Sequence, residues 1–257
     1  MVRDAGLSQA IEAAGGVGAL ARALGISQPS VSAWTRIPAD RVVAVEAATG
    51  VERRHLRPDL YGDDTLVAVD PLDRARAEEY ALLALLLLNP PSAKTLDDVS
   101  RLRGDASALG MVHLELAGAA ESGVQAVQSE HFALFIGLGR GELLPYASYY
   151  LTGFLHERPL ARLRDDLMGL GIERSDGVSE PEDHIAILCE IMSGLALRRY
   201  GNDAAAERRF FERHVKPWAG RFFADLEAAQ NAKFYRAVGR LGRVFMEIEA
   251  EAFALAD

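Results

Sequence analysis

The sequence contains little cysteine and no long apolar run, and each shortage excludes a class of protein. Its single cysteine, Cys189, excludes an intrachain disulfide and a zinc site built from cysteines. Its longest apolar run, residues 80–88, is too short for a bilayer, which a helix crosses with about 20 residues. The first residues carry a charge pair instead of the apolar stretch of a signal peptide. We therefore expect a soluble protein of the reducing cytoplasm, with no membrane partner.

The composition indicates a globular, helical chain. Hydrophobic residues make up 49% and charged residues 25%, which excludes a disordered or collagen-like protein. The net charge of −9 excludes a polycation that coats nucleic acid along its whole length. Apolar residues recur at helical spacing, and no segment has the alternation of a strand. The predicted fold class is all-α.

The charge and the turn-forming residues divide the chain into two predicted domains. Residues 1–60 hold seven arginines and six acidic residues, whereas the rest of the chain carries a balance of −10. A segment rich in proline, glycine and acids follows Pro58. We predict a first domain over residues 1–61, a linker over 62–70 and a larger helical domain over 71–257.

Several helices of the larger domain have recognisable ends. Asp70-Pro71 predicts the start of a helix that stops before Pro90. Ser179 and Glu182 have the spacing of a capping box ahead of Ile185. Two amphipathic stretches, residues 203–230 and 232–256, complete the chain.

The most specific local pattern is a helix-turn-helix within residues 17–36. Leu20, Ala21 and Leu24 lie on one face of a first helix, and Gly25 permits a sharp turn. Ile26, Val31 and Trp34 form the inward face of a second helix, of the kind that enters the DNA major groove. This spacing leaves a polar outer face, from which glutamine can contact adenine. The predicted DNA-binding residues are Ser27, Gln28, Ser30, Ser32 and Arg36.

The first domain resembles the small YdaS-like, Cro-type repressors. The resemblance rests on Leu20-Ala-Arg-Ala-Leu-Gly25, Ser30-Val-Ser-Ala-Trp34 and Glu46-Ala-Ala-Thr-Gly50. Because the domain is nearly neutral, a monomer would neutralise few phosphates, and specific binding needs a homodimer on two half-sites. The alternative is a helical hairpin that serves only docking or dimerisation.

The larger domain has no recognisable catalytic pattern. His184 and Cys189 lie five residues apart and therefore do not share a helix face. The histidines lack the spacing of a metal site. The glycines of residues 137–141 lack the lysine and the preceding strand of a phosphate loop, so we interpret them as a turn. We predict no enzyme, no metal and no cofactor, although an unrecognised enzyme stays an alternative.

Two segments predict a binding surface instead. Residues 142–150 combine a proline, a serine and three tyrosines, whose rings and hydroxyls suit peptide capture. Residues 180–184 place three acids and a histidine before a helix. We expect a negative patch that pairs with arginines of a cationic peptide, formed by Glu142, Glu180, Glu182 and Asp183.

Residues from about 70 to 257 resemble the TorD/DmsD family of redox-enzyme maturation proteins. The resemblance rests on residues 78–91, on Glu-Leu-Leu-Pro-Tyr-Ala-Ser-Tyr-Tyr at 142–150 and on Glu-Pro-Glu-Asp-His at 180–184. It implies an all-helical, cytoplasmic, non-enzymatic chaperone. Such a chaperone binds the twin-arginine leader and apoprotein of a molybdenum-cofactor oxidoreductase until the cofactor is inserted.

The resemblance also assigns a leader-binding pocket. Pro181, Asp183 and His184 would line it, with Tyr146, Ser148 and Tyr149 opposite, and Glu142 and Glu180 contribute charge. Asp183 and His184 have the alternative role of capping and packing their own helix. The segment at 139–150 is most similar to family members associated with formate dehydrogenase, and a reductase of the dimethyl sulfoxide or trimethylamine oxide type is the other candidate client.

Overall fold

The computed structural model describes residues 3–38, 41–58, 69–172, 179–201 and 203–255. It divides into two compact units, Met1–Ala68 and Val69–Asp257. The described ranges contain α-helices and no β-strand, which confirms the all-α prediction. The predicted linker lies outside the described residues except for its last two positions, Val69 and Asp70.

The smaller unit consists of five short helices among its described residues. They are α1 (Ala5–Ala13), α2 (Val17–Ala23), α3 (Gln28–Ser32), α4 (Val42–Thr49) and α5 (Arg53–Leu56). All five enclose one apolar core, to which α2 and α3 contribute Leu20, Ala21 and Val31.

Helices α2 and α3 form the helix-turn-helix that the sequence predicts. Gly25 has a φ of 66°. This left-handed conformation is unfavourable for any residue that has a Cβ atom. The Ser27 side chain accepts a hydrogen bond from the Ser30 N–H at 3.3 Å and caps α3, while Pro29 lies in its first turn. The local sequence therefore sets both the angle and the start of the second helix.

The larger unit contains ten further α-helices within the described ranges. They are α6 (Pro71–Leu88), α7 (Ala93–Ser100), α8 (Ala108–Ala119), α9 (Val124–His131), α10 (Ala147–Thr152), α11 (Arg158–Gly169), α12 (Ile185–Ala196), α13 (Ala204–Phe210), α14 (Ala219–Ala228) and α15 (Phe234–Leu255). Asp70 caps α6 as predicted, because its carboxylate accepts from the Leu72 N–H at 2.8 Å. The predicted stretch 203–230 is interrupted by a π-turn at Phe211–Val215 and becomes two helices.

The core of the larger unit is organised around α12. Ten of its twelve residues are buried, and it packs along α6. Cys189 is 1% exposed, and burial raises the pKa of its thiol, so it is a small core residue.

The capping box predicted ahead of α12 is wrong. The helix begins at Ile185, and its N-cap is His184, whose Nδ1 accepts from the Ala186 N–H at 3.1 Å. Ser179 and Glu182 lie upstream of the cap, and Glu182 accepts from Arg164 instead. The capping-box spacing was misleading because Glu182 pairs with Arg164, a residue distant in sequence, instead of capping the helix.

Candidate functional site

The two segments that the sequence singles out in the larger unit lie side by side. Tyr146 and His184 form an isolated antiparallel bridge. The Ala147 N–H donates to the Asp183 carbonyl at 3.0 Å, and the Ile185 N–H donates to the Pro145 carbonyl at 2.9 Å. Backbone hydrogen bonds thus join the starts of α10 and α12, although 35 residues separate Ser148 from Asp183 in sequence.

Asp183 is a buried residue that holds the start of α10. It is 1% exposed, and its Oδ2 accepts from the Ser148 N–H at 2.8 Å and from the Ser148 hydroxyl. A carboxylate at this position accepts a hydrogen bond from an N–H that has no partner within α10. The positive end of the α10 dipole also stabilises the negative charge. Asp183 and Ser148 therefore position the site and do not present a surface to a peptide.

His184 is also buried, at 5% exposure, and caps its own helix. Its ring meets the Tyr146 ring edge to face, with the centroids 5.2 Å apart. Burial, and secondly the charge of nearby His131, lower the pKa of His184 to about 3. The imidazole is neutral at physiological pH, so it supplies no positive charge that would repel a cationic ligand.

Tyr146 and Glu180 form the partly exposed part of the arrangement. The Tyr146 hydroxyl donates to Glu180 Oε2 at 2.5 Å. Pro181, the residue after Glu180, is half-buried. Burial, followed by the neighbouring Glu180 carboxylate, raises the pKa of Tyr146, so the hydroxyl stays neutral. Because this donor is neutral, the hydrogen bond does not itself neutralise the charge of Glu180.

The negative patch is smaller than the four acids that the sequence suggests. Glu182 pairs with Arg164 at 2.8 Å, which neutralises its charge. Glu142 accepts from the Gln230 N–H at 2.7 Å and from Asn231, and these bonds tie it to the connection between α14 and α15. Partial burial opposes these hydrogen bonds, yet they lower the pKa of Glu142 overall. Glu142 thus has a bracing role that sequence reasoning missed, because its partners lie 88 and 89 residues away.

The tyrosines next to Tyr146 have different environments. Tyr149 is half-buried, its hydroxyl accepts from Arg140 at 2.7 Å, and the guanidinium lies 5.2 Å from its ring centroid. Tyr150 belongs to the core and donates to Asp225 at 2.9 Å. Arg140 belongs to the glycine segment, whose Gly137 and Gly139 both have positive φ, so this segment is a turn as predicted.

The five predicted DNA-binding residues all lie at the surface of the smaller unit. The Ser27 and Ser30 hydroxyls lie 2.7 Å apart and belong to the cap of α3. Gln28 and Ser32 begin and end that helix. Arg36 donates to Asp4 at 3.1 Å, so a phosphate would compete with this carboxylate for its guanidinium.

Comparisons with known proteins match both units. Residues 102–224 match the family model described as nitrate reductase delta subunit, and residues 7–65 match the one described as bacterial toxin YdaS. A chaperone protein TorD from Shewanella loihica is 27% identical over 206 residues, covering 71% of this chain and 94% of the relative. TorD proteins from Vibrio cholerae and Aliivibrio salmonicida are each 28% identical, and the matches span 56% and 60% of their lengths and 44% and 47% of this chain.

A crystal structure from Archaeoglobus fulgidus, whose title names a redox enzyme maturation protein, is also similar. It is 23% identical, with a TM-score of 0.47, over 67% of this chain and 93% of the other. The larger unit is TorD-like, and the smaller unit is YdaS-like. The family models and the TorD relatives confirm the resemblances that the sequence motifs suggest.

The cavity nearest to Asp183 in the TorD-like unit is too small for an extended peptide. It has a volume of about 70 Å³, whereas pockets for ligands usually exceed about 300 Å³. Arg162 and Arg213 line it together with Asp183 and His214, so a cationic side chain would also meet positive charge there. A peptide that meets this part of the unit would therefore lie outside this cavity.

Neither metal chemistry nor a membrane span has support in the described part of the chain. Among those residues, no three histidine, cysteine or acidic side chains are grouped as metal ligands would be. No described helix is both long enough and apolar enough to cross a membrane. The TorD relatives are themselves named as chaperones.

Proposed function

We propose that the TorD-like unit is a cytoplasmic chaperone for a molybdenum-cofactor oxidoreductase. It binds the twin-arginine leader of the apoprotein and holds the client until the cofactor is inserted, before export. The observation that carries this proposal is the bridge between residues 145–148 and 183–185, which brings Tyr146 and Glu180 together at the surface. The named TorD relatives support the chaperone activity.

The chemistry of the leader fits these groups. An arginine of the leader can donate a charge-assisted hydrogen bond to the Glu180 carboxylate. The tyrosine rings offer flat apolar area at low cost in conformational entropy, and Arg140 holds one of them in place. A formate dehydrogenase, or a reductase of the dimethyl sulfoxide or trimethylamine oxide type, is the client that we propose.

We expect Glu180→Gln to weaken leader binding by about tenfold, because an interaction with one charged group is worth about 1.5–3 kcal/mol. The probe is a synthetic peptide with two adjacent arginines followed by a leucine- and alanine-rich stretch, called here the twin-arginine peptide. Calorimetric titration measures its affinity, and Glu121→Gln is the control for loss of an exposed acid. An unchanged affinity in the folded Glu180 variant removes this residue from the site.

Asp183→Ala should act on stability instead. It leaves the Ser148 N–H and hydroxyl without their acceptor, which costs about 1–3 kcal/mol for a buried donor. Thermal denaturation measures the loss, and the Glu180 variant serves as the comparison. If Asp183→Ala keeps the wild-type melting temperature but loses peptide affinity, Asp183 contacts the peptide directly.

We propose that the YdaS-like unit binds operator DNA of the client's operon. The exposed Gln28 and Ser32 on α3 support this, since both side chains can reach base edges in a major groove. The near-neutral charge of residues 1–60 favours a homodimer on a palindrome, because two copies double the number of phosphate contacts.

We expect Gln28→Ala to weaken binding of the full chain to that promoter by about tenfold, as a bidentate base contact is worth about 1–3 kcal/mol. Mobility shifts at low salt measure the change. Gln9→Ala, at an exposed glutamine of α1, is the matched control and should bind as wild type does. If the wild-type chain does not retard the promoter at all, the YdaS-like unit serves docking or dimerisation instead. The Arg36–Asp4 pair and the low charge of residues 1–60 favour this alternative.

We propose further that client load regulates transcription. Leader bound to the TorD-like unit would change the dimerisation of the YdaS-like unit, so that operon expression follows the amount of immature enzyme. A promoter titration with and without saturating twin-arginine peptide should give different affinities. Identical affinities mean that the two activities are independent. Turnover of a substrate by the purified chain would instead support the alternative of an enzyme.

A further inference from the structure

The TorD-like unit has a second surface, a groove between α6 and α12, that the sequence motifs do not indicate. Its volume of about 450 Å³ falls in the range of ligand pockets. Its floor is apolar and comes from one face of α6 and the turn that follows: Ala81, Ala84, Leu85, Leu88, Pro90 and Pro91. Leu85 is 56% exposed, and together with the other floor residues it forms a continuous apolar surface.

The second wall of the groove carries an isolated carboxylate. Ile187 and Glu190 are the two residues of α12 that are not buried, and Glu190 lines the groove. It makes no ion pair or hydrogen bond with a residue that the structure describes. A charged side chain on the open edge of an otherwise apolar helix favours a partner with a basic group next to apolar ones.

The charges of the groove also give it a direction. Arg199 lines it as well, and the Arg199 N–H donates to the Gly194 carbonyl, which places it at the C-terminal end of α12. A peptide that is basic at both ends would be repelled at Arg199. A peptide that is basic only at its start can pair with Glu190 and extend over the leucines.

Glu190 lies on the same helix whose N-cap, His184, contacts Tyr146. Glu190 lies six residues beyond His184, which corresponds to about 9 Å along the helix axis. An extended peptide spans that distance with about three residues. The apolar side chain of Ile187 lies between the two along α12.

We propose that this groove holds the apolar stretch of the twin-arginine leader, with Glu190 pairing with a basic residue at its start. The inference rests on the proposed chaperone function and assigns a location to the apolar part of the client. The leucines of α6 shield the remainder of the leader from water.

The test uses the full chain and the twin-arginine peptide in a fluorescence anisotropy titration. Leu85→Glu should weaken binding by about tenfold or more, since it replaces apolar contact area with a charge. Leu72→Glu is the matched control, because Leu72 is 68% exposed on the same helix and does not line the groove. Glu190→Gln should weaken binding about fivefold, against Glu78→Gln as the control on α6. A photo-crosslinker within the apolar stretch should label the segment around Leu88.

The outcomes separate this inference from the proposed function. Failure of the wild-type chain to bind the peptide overturns both. If Glu180→Gln weakens binding whereas Leu85→Glu and Glu190→Gln match their controls, the chaperone function stands and the groove is not the site. If Leu85→Glu instead converts a dimer to a monomer in sedimentation without changing peptide affinity, the groove is an interface between copies, and the inference is wrong.

Discussion

Replacing Arg76 by methionine should lower the free energy of unfolding of the TorD-like unit by about 3–5 kcal/mol. Breaking a buried ion pair costs this much because the partner is left as an uncompensated buried charge. For a unit of this size, each kcal/mol corresponds to roughly 2–4 °C, so the melting temperature should fall by about 10 °C or more.

The expectation follows from the geometry around Arg76. Its guanidinium donates through Nε and Nη2 to the two carboxylate oxygens of Glu249, both at 2.7 Å, and Glu249 is 0% exposed. It also donates to Glu207 at 2.7 Å and to Asp73 at 2.8 Å. The Tyr80 hydroxyl donates a further hydrogen bond to Glu249 Oε2 at 2.8 Å. One arginine thereby joins α6, α13 and α15.

A surface ion pair of the same residue types provides the control. Arg240 donates to Glu115 at 2.6 Å, but the two side chains are 46% and 40% exposed. Arg240→Met should therefore cost no more than about 1 kcal/mol. Adding Glu249→Gln to Arg76→Met should recover part of the loss, because it removes the buried charge. Equal melting temperatures for the Arg76 and Arg240 variants would show that the buried network contributes nothing particular.

Acidification should destabilise the TorD-like unit through His131, which is the second large effect. His131 is 5% exposed, and neither ring nitrogen has a hydrogen-bond partner among the described residues. Burial lowers its pKa from 6.5 to about 4. Between these two pKa values, the histidine is protonated in the unfolded chain but neutral in the folded chain. The free energy of unfolding therefore falls by about 1.4 kcal/mol for each unit by which the pH is lowered.

The sign and the window can be tested with His131→Leu. Well above pH 6.5, His131 is neutral in both the folded and the unfolded state and adds no pH dependence. Between pH 6.5 and 4.5 the wild type should lose about 2 kcal/mol more than the variant does. Denaturant unfolding at several pH values measures the difference. Equal pH slopes for the two proteins would mean that His131 is protonated in the folded state.

A variant of His113 is a useful comparison because its titration has the opposite sign. Glu79 lies 2.8 Å from its Nε2 and raises the pKa of His113. This contribution is present below the unfolded pKa and disappears as the pH rises through the folded value. Removing His113 should therefore abolish a gain of stability that the wild type makes as the pH falls toward 6.5. Removing His131 should instead flatten the loss of stability below pH 6.5.

Patterns within single helices were largely readable from the sequence. The spacing of Leu20, Ala21 and Val31, with Gly25 between them, predicted both the helix-turn-helix and its buried face. Asp70 before Pro71 predicted the start of α6. These features depend on neighbours a few residues away, and helix caps and turns are decided at that range.

Side-chain partners across the fold were not readable in this way. Glu142 and Glu182 looked like open acids, yet their partners are Asn231 and Arg164. His184 looked like a ligand-facing residue, but it caps α12 from a buried position. The sequence around an acidic residue is the same whether its carboxylate contacts solvent, a peptide or a backbone N–H that lies far away in the chain.

The sequence by itself determined the helical class, the helix-turn-helix and the two motifs of the candidate site, because periodicity and turn chemistry are local properties. Only the tertiary structure decided which carboxylates are buried or paired within the fold. Long-range packing buried Asp183 at the start of α10 and left Glu190 on the open edge of α12. The free energy of a charge depends on its burial and partners, and the folded chain alone sets both.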